Sequence, residues 1–163
     1  MKGGIGSAAI ALPGGLRVAA IVAVNALGDV IDPSTGAVVA GARSDAGGLV
    51  DVRKLLRAGA ALQRTRVGEN TTLGVVATNA RLTKAETNRV ALMADAGIAR
   101  AVNPAHTTAD GDTVFALATG RWTGRADVSV IGALAADVLA EAIVRAVTQA
   151  TAVAGIPARR DLK

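Results

Sequence analysis

The sequence predicts an α/β domain of layered helices and sheet, and three observations carry that expectation. β-branched and Ala-rich runs, such as residues 16–24 and 72–78, lie between turn-forming stretches and have the length of strands. Two longer segments, one behind Thr83 and one from Val128, repeat apolar residues at helical spacing, and each follows a strand. The composition is 51% hydrophobic with only Phe115 and Trp122 as large aromatics, so Ala, Val, Leu and Ile must build the core. With 19 glycines added, elements can approach closely, but each small side chain removes little apolar area from water. Part of the stability is therefore expected from a partner surface.

The elements follow in order. Residues 7–12 and 16–24, joined by Pro13-Gly14-Gly15, read as a hairpin of two buried strands. Val30-Ile31, a turn over Asp32-Pro33-Ser34-Thr35-Gly36, and Ala37 to Ala40 read as strand, turn and strand. Residues 41–48 read as loop, 51–61 as a short basic helix, and 63–70 as an exposed polar segment. A strand spans 72–78. Thr83-Lys84-Ala85-Glu86 has the form of a capping box, opening a helix that should end before Pro104. Residues 113–119 form another strand and 120–124 a turn. A long Ala-rich helix runs from about 128 to 150, with Ile131, Leu134, Val138, Ala142 and Val147 on one face and a Glu141–Arg145 pair at i,i+4. No internal repeat and no long linker divides the 163 residues, which suit one domain.

Composition narrows the chemistry. Without cysteine there are no disulfides and no thiolate metal sites, and the lone His106 argues against a histidine-based zinc site. No cofactor motif is present: Met1 to Ser7 is Gly-rich but lacks G-x-G-x-x-G and G-K-[ST]. The net charge of +5 is scattered, without aromatics to stack on bases, so no nucleic acid partner is expected. Arg159 to Lys163 reads as a solvated tail. No stretch has the ~20 apolar residues of a membrane helix. Pro13, Gly14, Gly15 and Arg17 break up the start as a signal peptide, so a cytoplasmic protein is expected. His106 and Trp122, in turn-like stretches, read as structural, with no partner evident.

Four constellations can carry chemistry. Asn70-Thr71 stands at the mouth of the 72–78 strand. It reads either as a plain loop-to-strand junction or as a self-cleaving bond. In the second reading the Thr71 hydroxyl attacks the Asn70 carbonyl, and hydrolysis of the ester leaves Thr71 as a new N-terminus. An α-amine has an unperturbed pKa of roughly 7.7–8.0, suited to a general base near neutral pH. Such a site needs no histidine. Asp110-Gly111-Asp112 reads as an exposed turn or as an acidic pair needing a cation. Asn25 reads as a turn former or an oxyanion donor. The Gly-rich start reads, as pattern, only as a flexible segment.

KGGIGSA, VAVNALGDVIDPSTG, ENTTLGVVATNARLTKAE and PAHTTADGDTVFALATG stand in that order along the chain. Together they resemble the C-terminal half of the self-processing N-terminal-nucleophile aminopeptidases. That family includes the DmpA-type L-aminopeptidase/D-amidase-esterases, the β-peptidyl aminopeptidases and the endo-type nylon-oligomer hydrolases. The likeness runs from Lys2 to about Val147. It implies an αββα sandwich of the DmpA/ornithine-acetyltransferase type, incomplete without the N-terminal half, in a family of roughly twice this length. It implies cleavage between Asn70 and Thr71, dividing a single domain over 1–163 into an upstream part, 1–70, and a nucleophile-bearing part, 71–163. Thr71 matches the nucleophile, Asn25 the oxyanion-serving asparagine, Asp110 and Asp112 the acidic pair of the nylon-oligomer enzymes, and Lys2 the active-site lysine. The implied function is hydrolysis of an N-terminal amide or short oligoamide without cofactor or metal. A missing half or companion chain and a homo-tetrameric assembly are the implied partners. The alternatives are an ornithine-acetyltransferase-like acyltransferase and a non-catalytic assembly subunit of the same fold.

Overall fold

In a computed structural model, which describes residues 1–45, 47–60 and 70–162, β1 (Gly4–Ala11) and β2 (Arg17–Asn25) form the expected hairpin. Two short strands follow, β3 (Asp29–Ile31) and β4 (Val38–Ala40), then α1 (Val52–Arg57) and β5 (Thr71–Thr78). After these come α2 (Lys84–Ala94), α3 (Ala96–Ala101), β6 (Val102–Asn103), β7 (Thr113–Ala118) and α4 (Val128–Gln149). The main sheet runs in the order β1-β2-β5-β7, antiparallel except for the parallel β5–β7 pair. A small antiparallel sheet, β4-β3-β6, sits beside it. The expected residues at 61 and 63–69, with Ala46 and Lys163, lie outside the described residues.

The helices cover one face of the main sheet. Asp127 caps α4, its carboxylate accepting from the Ser129 and Val130 amides. The helix then buries Ile131, Ala135, Leu139, Ile143 and Ala146 completely. Full burial of an Ile or Leu side chain contributes about 1.5–3 kcal/mol. Small residues set the spacing: a Cβ built on Gly6 would lie 2.1 Å from the Ala142 carbonyl oxygen, and one on Gly4 2.3 Å from that of Ala146. The backbone of α4 therefore rests directly on β1. Gly6→Ala should force the two apart and lower stability by about 1–3 kcal/mol, measured as a fall in the denaturation midpoint. Unchanged stability would mean that the close approach is not required.

The structure corrects several expectations. The strands read as fully buried are half-buried. Val18, Ala20, Val22 and Val24 of β2 face the helices, while Ile21 on the other side is 52% exposed. Ile5, Leu73, Phe115 and Leu117 share that open side, with Phe115 58% exposed. Among the described residues only one face has a helix layer, so apolar residues at both parities do not bury both faces. The segment behind Thr83 has its capping box, but it is two helices rather than one. It turns at Asp95, and Gly97 then lies against α4, where a Cβ would come 2.4 Å from the Ala136 carbonyl oxygen. Val102, expected in the helix, pairs with Val30 as strand. The tail is exposed at Arg160 and Asp161, as expected, and Arg160 Nη2 also donates to the carbonyls of Thr148 (3.3 Å) and Gln149 (3.0 Å) at the end of α4. Glu141 and Arg145 form their ion pair. Trp122 has a partner after all, its Nε1–H donating to Gly14 O at 2.8 Å in the β1–β2 turn. Among the described residues, no helix is long and apolar enough to cross a membrane.

Candidate active site

Strand register decides which distant residues meet. Asn25 ends β2, Thr71 opens β5, and antiparallel pairing sets them directly opposite each other. Directly opposed residues share a face. Alternation along β5 sends Thr72, Gly74, Val76 and Thr78 inward and leaves Thr71 on the open side of the sheet, half-buried. Lys2 is anchored by its own amide, which donates to Pro157 O at 2.9 Å. Its Nζ donates to Gly3 O at 3.0 Å. Lys2, Ile5, Asn25, Thr71 and Leu73 line one cleft of about 370 Å³. A neighbouring hollow of about 240 Å³ shares Lys2 and Asn25 and is walled by Gly28, Gly41 and Ala42.

Buried Asp29 braces that wall. Its two carboxylate oxygens accept from the Ala42 amide at 2.9 Å and the Val52 amide at 2.7 Å. Burial pushes this carboxyl above its ordinary value, and the two amide bonds pull against the shift. Gly41 passes so close that a Cβ there would overlap Asp29 Oδ1, at 1.8 Å.

The acidic segment enters from the other side. β7 runs parallel to β5, and the residues before it continue the pairing, with Asn70 bridged to Asp110. The Gly111 N–H donates to Asn70 O at 3.0 Å. Asp112 Oδ1 accepts from the Thr72 amide at 2.7 Å. Asp110 Oδ2 accepts from the Thr107 amide (2.9 Å) and hydroxyl (2.8 Å). The Thr71 hydroxyl donates to Asn70 O at 2.7 Å, so it rests on the carbonyl group of its own preceding peptide.

Thr71, Asn25 and Lys2 therefore share one cleft, and Asp110 and Asp112 bind the chain on either side of Thr71 rather than its hydroxyl. Lys2 makes no ion pair with the two carboxylates among the described residues. Burial raises the Asp112 carboxyl, the Thr72 amide lowers it, the charge of Asp110 raises it, and His106 lowers it. His106 Nε2 itself lies 3.3 Å from Asp95 Oδ2. Sequence reasoning missed His106 in this position, and Thr107 as the clamp on Asp110. The signal for Thr107 was present: a threonine three residues before an aspartate can donate both amide and hydroxyl to it.

The profile described as Peptidase family S58 matches residues 1–160. The chain belongs to peptidase family S58. It is 45% identical over 171 aligned positions to an uncharacterised aminopeptidase of Mycobacterium leprae, a match covering 96% of this chain and 47% of that protein. It is 34% identical over 88 positions to a 6-aminohexanoate-oligomer endohydrolase of Paenarthrobacter ureafaciens, covering 47% of this chain and 25% of that one. Among solved structures it is similar to the L-aminopeptidase D-Ala-esterase/amidase of Ochrobactrum anthropi, with a TM-score of 0.61 and 22% identity over 97% of this chain and 44% of that chain. That structure is described as a variant of the Ntn hydrolase fold. A Burkholderia sp. β-aminopeptidase gives a TM-score of 0.55 and 26% identity over 90% of this chain and 42% of that one. The S58 chain thus has the expected α/β fold of the DmpA type. It spans about half the length of the M. leprae and O. anthropi relatives.

Proposed function

We propose that this chain is the nucleophile-bearing part of an amide hydrolase whose Thr71 is freed by cleavage of the Asn70–Thr71 bond. One observation carries the reading: the Thr71 hydroxyl lies on the Asn70 carbonyl, in a cleft that Asn25 and Lys2 also line. Self-cleavage would divide the domain into 1–70 and 71–163. The new α-amine then takes the proton from the Thr71 hydroxyl as Oγ1 attacks a substrate amide. The amine product leaves with a proton, and water hydrolyses the acyl-threonine ester to the acid. Asn25 donates to the oxyanion, Lys2 favours the deprotonated nucleophile, and Asp110 and Asp112 hold the two sides of Thr71 in place.

The substrate class follows from the relatives, which are named as an aminopeptidase and an oligoamide endohydrolase. We assign this site to an N-terminal amide or a short linear oligoamide. Aminoacyl anilides and 6-aminohexanoate oligomers test the two arms, and acetyl-ornithine with glutamate tests acyl transfer. Turnover of the last pair alone would overturn hydrolysis. Asn25→Ala should lower kcat by about 10²–10³ with little change in KM; an equal loss through KM would reassign Asn25 to substrate binding.

The open sheet face supports a partner. Ile5, Ile21, Leu73, Phe115 and Leu117 stand exposed together on one face of the sheet, the kind of apolar surface that marks an interaction site. We assign its cover to the N-terminal half of the family domain, giving the full αββα sandwich. Ile21→Glu should abolish co-purification with the N-terminal half of an S58 relative while the chain keeps its circular dichroism. Retained co-purification would place the partner elsewhere.

A further inference from the structure

We infer that the backbone N–H of Gly111 is the oxyanion donor for the self-cleavage step. This rests on the self-processing reading above and adds to it a group that acts on the scissile bond itself. Among the described residues, the Thr71 hydroxyl at 2.7 Å and the Gly111 amide at 3.0 Å both donate to the Asn70 carbonyl oxygen. The first belongs to the attacking group. When Oγ1 attacks, its proton must leave, and that bond to the oxygen is lost. The Gly111 amide is a donor that stays.

The step balances as follows. Thr71 Oγ1 bonds to the Asn70 carbonyl carbon, and the carbonyl electron pair moves onto the oxygen. The hydroxyl proton passes to the Thr71 nitrogen as the C–N bond breaks, and the oxygen's pair re-forms the carbonyl of an ester. One water then hydrolyses the ester to the Asn70 carboxylic acid and the Thr71 hydroxyl, beside a free α-amine. The negative charge exists only between the first two events, on the oxygen that Gly111 N–H faces. A fixed donor aimed at developing charge lowers the barrier because it needs no reorganisation at the moment of reaction.

The fold holds this donor in place from both sides. Asp110 is fixed by two bonds from Thr107, and Asp112 by the Thr72 amide, so the peptide between them has little freedom. The parallel bridge from Asn70 to Asp110 sets its register. Residue 111 also has to be small: a Cβ there would stand 2.9 Å from Thr71 Oγ1. This explains the glycine between the two aspartates, which a turn alone does not require, because its φ is not positive.

The test removes the N–H without adding atoms. Gly111→glycolic acid, introduced by cell-free translation into the full chain, replaces the amide with an ester. Intact mass spectrometry follows the appearance of the piece beginning at Thr71. Cleavage should slow by about 10²–10³ relative to the parent chain. An unslowed ester variant beside a cleaving parent overturns the role of Gly111 alone. A parent that never cleaves overturns the self-processing reading and this inference with it. A second measurement avoids dependence on rate. With Thr71→Ala blocking cleavage and ¹³C at the Asn70 carbonyl, the infrared band should move to higher wavenumber when the 111 amide becomes an ester. No movement would mean that the amide does not polarise this carbonyl.

Discussion

Thr71→Ala is expected to leave a chain that folds, stays uncut at Asn70, and is inert toward activated esters. The fold should tolerate the change because Thr71 lies on the open face of β5 and, among the described residues, its hydroxyl bonds to the neighbouring carbonyl. Loss of one such bond costs about 0.5–1.5 kcal/mol. The chemical loss is far larger. In the proposed mechanism the hydroxyl is the attacking group in both maturation and turnover, and removing a nucleophile costs on the order of 10⁶ in rate where it acts in a coupled unit. Thr71→Ser keeps the attacking oxygen and should still cleave. Mass spectrometry reads both variants. Cleavage at Asn70 in Thr71→Ala, or equal acylation of parent and variant, would remove Thr71 from the mechanism.

Periodicity revealed the helix layer but left the state of the sheet's second face open. The long helix was legible because Ile131, Val138, Ala142 and Val147 repeat on one face, and all four are buried. The capping box at Thr83 was legible for the same kind of reason, a fixed offset with a fixed geometry. The strands misled. Ile21 and Val22 are equally apolar, yet one faces α4 and the other faces outward. Apolar residues on both parities say that both faces shun water, not that both are covered within the chain. The break at Asp95 was also hidden, because it depends on Gly97 meeting the Ala136 carbonyl of a helix far away in sequence.

The site divides along a similar line. Asn25 and Thr71 are 46 positions apart in sequence, and nothing local says that they oppose each other. Register does, once β2 and β5 pair. Their meeting came from the family resemblance, not from pattern. Asp110 and Asp112 read as an acidic pair, but the two carboxylates part company. One folds back onto Thr107 and the other reaches the Thr72 amide. What gathers at Thr71 is as much backbone as side chain, and backbone amides carry no signature in a sequence.

Asp112→Asn should separate activity from stability in opposite directions. The asparagine can keep its oxygen toward the Thr72 amide, so the 2.7 Å bond that ties β7's approach to β5 survives in kind. What disappears is the charge. Burial, followed by the neighbouring Asp110, holds this carboxyl above its ordinary value against the pull of the Thr72 amide and His106. The native state therefore keeps the proton to higher pH than the unfolded chain does. Stability from this group is fully present below the unfolded carboxylate value, about 3.9, and is lost as pH rises through the higher native value. Asp29 contributes in the same sense. At pH 7 the half-buried negative charge at 112 is a cost, and Asp112→Asn should match or exceed the parent in melting temperature. Activity should move the other way. If the ionised carboxylate supports the ammonium that forms on the Thr71 amine during turnover, its removal should cost about 10²-fold or more. The acid side of the parent's rate profile should carry this carboxyl beside the Thr71 amine, and in the variant only the amine's contribution should remain. Asp112→Ala provides the contrast: it leaves the Thr72 amide without its acceptor and should lose stability as well. An Asp112→Asn chain that is less stable at pH 7 than at pH 4 relative to the parent, yet fully active, would make Asp112 a tether for the strand and nothing more.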